Sequence, residues 1–127
     1  MPYTTQSLKK WIVTQIKNDL KFREEIEEYL LDHNLTYLDA LSTKNWGFDS
    51  KFNFDQTFNQ ETETQFRLWW AKEGLESELS YKNITLPPNS KIYLFMHNYR
   101  DATVEIYIVL DQSLENIYSY FIRATES

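Results

Sequence analysis

The chain has 127 residues, 17% of them aromatic, with a formal net charge of −6, two glycines and no cysteine. That length suits one domain with a core of its own, and the missing thiols exclude disulfides, thiolate zinc sites, iron–sulfur clusters and cysteine nucleophiles. Gly47 and Gly74 stand alone, which excludes a glycine-rich phosphate loop, and the acidic balance disfavours direct binding to nucleic-acid phosphates.

The first twenty residues contain no uninterrupted apolar run followed by a small-residue cleavage site, so they do not read as a signal peptide. No stretch reaches the roughly 18 apolar residues of a membrane span. The expectation is a cytoplasmic protein, free of the membrane, with residues 1–127 as a single domain.

Leu8, Trp11, Ile12, Ile16 and Leu20 recur at spacings of three and four, the signature of an amphipathic helix. Thr4, Thr5 or Ser7 supplies an oxygen to cap its start. The period runs on through Arg23, Ile26 and Leu30, which leaves two alternatives. One is a single long helix. The other is two short ones, with Asn18-Asp19 interrupting the first and capping a second from Leu20 to Leu31. Glu24, Glu25, Glu27 and Glu28 bracket Ile26 and give this segment a strongly acidic outer side.

Leu35, Leu38 and Leu41 allow a short third helix, and Lys44-Asn45-Trp46-Gly47 reads as a turn. From residue 51 the period changes to two. Phe52 and Phe54 alternate with polar residues, and so do Thr62, Thr64, Phe66, Leu68 and Trp70 against Glu61, Glu63, Gln65, Arg67 and Trp69. A strand is favoured over 61–70. A helix over 61–72 with Gly74 as its C-cap is the rival. Pro87-Pro88-Asn89 breaks any ladder. The segments 91–99, 103–110 and 117–123 form a three-stranded meander, turning at 98–101 and at 112–116. Helices followed by strands give an α+β fold, with N-terminal helices packed on an antiparallel sheet of four to six strands.

Val104, Ile106, Ile108 and Leu110 make one apolar face of the meander. Glu105, Tyr107 and Asp111 fall on the other, which is expected to be partly wet. Tyr93, Phe95, His97 and Tyr99 share a face. The antiparallel neighbour of His97 is expected to offer Glu105 or Tyr107 on a matching face, giving a His–Glu–Tyr cluster on an exposed face for acid–base work. Arg100 and Asp101 sit at a hairpin tip. Trp69 lies among Glu63 and Arg67 on the polar side of its strand, where a large rigid ring suits an interface.

No HExxH or GxSxG spacing appears, so no metal site, cofactor or catalytic residue is assigned. The favoured role is a small acidic, non-catalytic module that docks a basic protein partner, as an inhibitor, an immunity-like protein or an adaptor would. Its binding residues would be Glu24, Glu25, Glu27, Glu28, Glu61, Glu63, Trp69, Tyr93, His97, Arg100, Asp101, Glu105 and Tyr107. One alternative is a small-molecule binder or enzyme whose pocket is lined by Tyr93, Phe95, His97, Tyr107 and Tyr120. A second is a structural homodimer joined through the aromatic sheet face.

Overall fold

In the computed structural model, residues 1–32, 41, 43, 46–53, 87, 89–99 and 102–126 are described. They form two helices packed against a four-stranded antiparallel sheet. The helices are α1 (Thr5–Asn18) and α2 (Leu20–Asp32). The strands are β1 (Gly47–Asn53), β2 (Lys91–Tyr99), β3 (Ala102–Leu110) and β4 (Ile117–Glu126), adjacent in the order β1-β2-β3-β4.

Helix α1 begins where the sequence places a cap. Ser7 N donates to Thr4 Oγ1 at 3.1 Å and Thr4 N donates to Ser7 Oγ at 2.7 Å. Two orphan amides of the first turn are thus satisfied reciprocally. Leu8, Ile12, Val13 and Ile16 turn inward and are buried. Each such aliphatic side chain contributes about 1.5–3 kcal/mol when removed from water.

The helical period does not run on unbroken. Asp19 is extended, with φ −107 and ψ 108, and its Oδ1 accepts from Phe22 N at 3.2 Å to start α2. Arg23 closes the other side of the break. Its Nε donates to Ile16 O at 2.8 Å and its Nη2 to Lys17 O, so the last carbonyls of α1 receive a cation where the helix dipole favours one. The break resets the phase. Phe22 and Ile26 carry the buried stripe of α2, while Leu20, assigned to the stripe from its spacing, is 65% exposed.

The C-terminal meander has the expected order. Tyr99 pairs with Ala102, so β2 and β3 are joined by a two-residue link. Strand β4 runs past Arg123 to Glu126. The connection from β3 to β4 is organised by Asp111. Its Oδ1 accepts from Glu115 N at 2.9 Å, Asn116 N at 3.3 Å and Ser113 Oγ at 3.1 Å, and its Oδ2 accepts from Asn116 Nδ2 at 2.7 Å. Leu114 takes a left-handed φ of 63, which costs a non-glycine residue about 1–2 kcal/mol. Its side chain packs on the core, and its carbonyl accepts from Tyr3 N at 2.7 Å. Those contacts hold the turn against the chain entry to α1. At the entry to β2, Ser90 N and Oγ both donate to Pro87 O, at 3.3 and 2.9 Å.

Strand β1 starts at Gly47, not at residue 51, and Trp46 is core and not turn. The core between sheet and helices joins Leu8, Ile12, Ile16, Phe22 and Ile26 to Trp46, Tyr93, Phe95, Val104, Ile106, Ile108 and Ile122. Where α1, α2 and β4 meet, the Trp11 ring stands edge-on to Phe22 at 5.8 Å and to Tyr120 at 5.9 Å. Such aromatic pairs favour edge-to-face packing because the ring edge is positive and the face negative.

Candidate functional site

The thirteen residues read from the sequence as a binding surface fall into separate places. Five of them, Glu61, Glu63, Trp69, Arg100 and Asp101, lie outside the described residues, as does the choice between strand and helix over 61–73. The other eight lie on α2 and on the two faces of the sheet.

Tyr93 and His97 face the helices. Both are buried, His97 with 5% of its surface exposed. Its ring meets Trp46 at 5.4 Å, tilted 68°. The register sets its neighbour: because Tyr99 opposes Ala102, His97 opposes Val104. Side chains alternate between faces along a strand, so Glu105 and Tyr107 point the opposite way from His97. The expected His–Glu–Tyr cluster is therefore not assembled, and the face that carries His97 is core and not solvent.

Glu105 and Tyr107 are not wet either. They are 4% and 0% exposed, on a face that also buries Ile92, Leu94, Val109 and Phe121. A polar pair is tolerated there because its charge is met. Arg123, the cross-strand partner of Glu105, donates from Nε to Glu105 Oε1 at 2.8 Å. Tyr107 Oη donates to Glu105 Oε2 at 3.4 Å. The Tyr107 ring stacks on Phe121 at 4.5 Å and 6°, and the Arg123 guanidinium lies 5.4 Å from its centroid. Burial, then the Glu105 charge, pushes the Tyr107 phenol well above its ordinary value. At neutral pH that phenol is a hydrogen-bond donor to the carboxylate and not a proton acceptor.

Arg123 is the member of this cluster that residue typing missed. A signal for it was present: folding β3 onto β4 about Leu114 puts Glu105 opposite Arg123 and Tyr107 opposite Phe121. An ion pair of this kind fixes strand register, since a slip of one residue would reverse every side chain and leave both charges buried alone.

The register also divides the alternative pocket. Tyr107 lies on the face away from Tyr93, Phe95, His97 and Tyr120, so the five rings cannot line one cavity. Tyr93, His97 and Tyr107 are each buried within the chain.

Among the described side chains of α2, Glu24 is the acid at the open surface. Phe22 and Ile26 lie one turn apart and face the core, which directs Glu24 outward, exposed, and leaves Glu25 and Glu27 half-buried. The side chain of Glu28 lies outside the described residues. The charge of this region reaches the neighbouring strand. The Tyr120 phenol is pushed up to about 12 by its partial burial first, and then by the nearby charges of Glu25 and Asp19.

Among the described residues, no three of His, Cys, Asp and Glu converge as metal ligands, and no helix is long and apolar enough to cross a membrane. Comparison with family models, with curated proteins and with solved structures returned no match.

Proposed function

We propose that this chain is a small acidic, non-catalytic protein-binding module that docks a basic protein partner through the outer side of α2. One observation carries it. The inward stripe of Phe22 and Ile26 presents Glu24 to solvent beside Glu25 and Glu27, in a chain whose net charge is −6. A surface of one sign raises the local concentration of an oppositely charged partner and speeds its encounter by roughly tenfold or more.

Further support comes from the sheet, where the titratable residues first weighed for chemistry, His97, Glu105 and Tyr107, are buried in packing and in a compensated ion pair. Among the described candidates, that leaves the acids of α2. An inhibitor, an immunity-like protein and an adaptor all act in this way, without turnover. The cysteine-free composition suits a reducing cytoplasm, and the acidic surface disfavours nucleic acid as the direct partner.

The test is retention of proteins from an extract of the source cells on the immobilised chain and on the double variant Glu24→Lys, Glu27→Lys. The expected result is a basic protein held by the native chain and lost from the variant, with thermal unfolding of the two alike. Identical sets of retained proteins on both would overturn the proposal. Self-association that survives the charge reversal would favour the homodimer instead.

A further inference from the structure

We draw no further inference here: the strongest candidate, the aromatic junction of α1, α2 and β4 where Trp11, Phe22 and Tyr120 meet beside Asp19 and Glu25, holds its ring centroids 4.7, 5.8 and 5.9 Å apart in ordinary packing contact, and its acids belong to the surface already described.

Discussion

Arg123 Nε donates to Glu105 Oε1 at 2.8 Å, directly across the β3–β4 pair, with Tyr107 hydrogen-bonded to the other carboxylate oxygen. Breaking such a pair from one side leaves an uncompensated charge in a buried setting, at a cost of about 3–5 kcal/mol. Glu105→Ala and Arg123→Ala should therefore each lower stability in urea unfolding by about that amount. The double variant Glu105→Leu, Arg123→Met should recover most of the loss, because packed apolar side chains replace the pair without stranding a charge. A double variant as unstable as the sum of the single ones would show that the two residues act independently.

Trp46 stands just before β1 with its ring beside His97 and its side chain in the main core. Trp46→Ala should cost about 3–5 kcal/mol, the price of a large buried ring replaced by a cavity. Trp46→Phe, which keeps a ring in the site, should cost markedly less in the same unfolding measurement. A loss no larger than that of a surface substitution would remove Trp46 from the core.

The helices and the meander were legible because their apolar residues repeat at 3.6 and at 2, and burial of one stripe or one face demands that repeat. The phase of α2 was less so. Leu20 continues the spacing of α1, but Asp19 bonds Phe22 N and resets the helix, so Phe22 is buried in its place. Trp46 sits between Asn45 and Gly47, turn-forming types, and its burial depends on contact with β2, far away in the chain. Glu105 and Tyr107 look like solvent-facing residues by type. The Glu105 charge is met by Arg123, 18 residues on, a partner that shows up only when strands are paired and not when they are read singly. The misplacement of His97 has the same origin: a two-residue link fixes Val104 as its neighbour, and a change of one residue in that link would have changed the face.

Tyr120 makes an alkaline prediction. Its phenol ionises near 10.0 when the chain is unfolded and at about 12 when folded. A raised value means that the contribution to stability is complete below pH 10 and is lost as the pH climbs towards 12. The stability of the native protein relative to Tyr120→Phe should thus fall across that window. Tyr107, raised in both proteins, cancels in the comparison. Chemical denaturation of the pair at stepped pH checks this, and a constant difference would contradict it.

Asp111 makes the opposite prediction at acid pH. Its carboxylate accepts from Asn116, Glu115 and Ser113, which holds its folded value below the ordinary 3.8. A lowered value means that its contribution is present above pH 3.8 and vanishes as the pH falls through the folded value. The melting-temperature gap between the native protein and Asp111→Ala should therefore be full at neutral pH and narrow in acid. A gap that widens in acid would refute the assignment of these hydrogen bonds to the ionised carboxylate.

The acidic side of α2 is tested most directly by the association rate of a purified basic partner with the native chain and with Glu24→Lys, Glu27→Lys, measured over a range of ionic strength. Electrostatic docking predicts that the native rate falls steeply with salt, and that the variant associates at least about tenfold more slowly at low salt. Equal rates with equal salt dependence, in two proteins that melt alike, would place the contact elsewhere on the molecule.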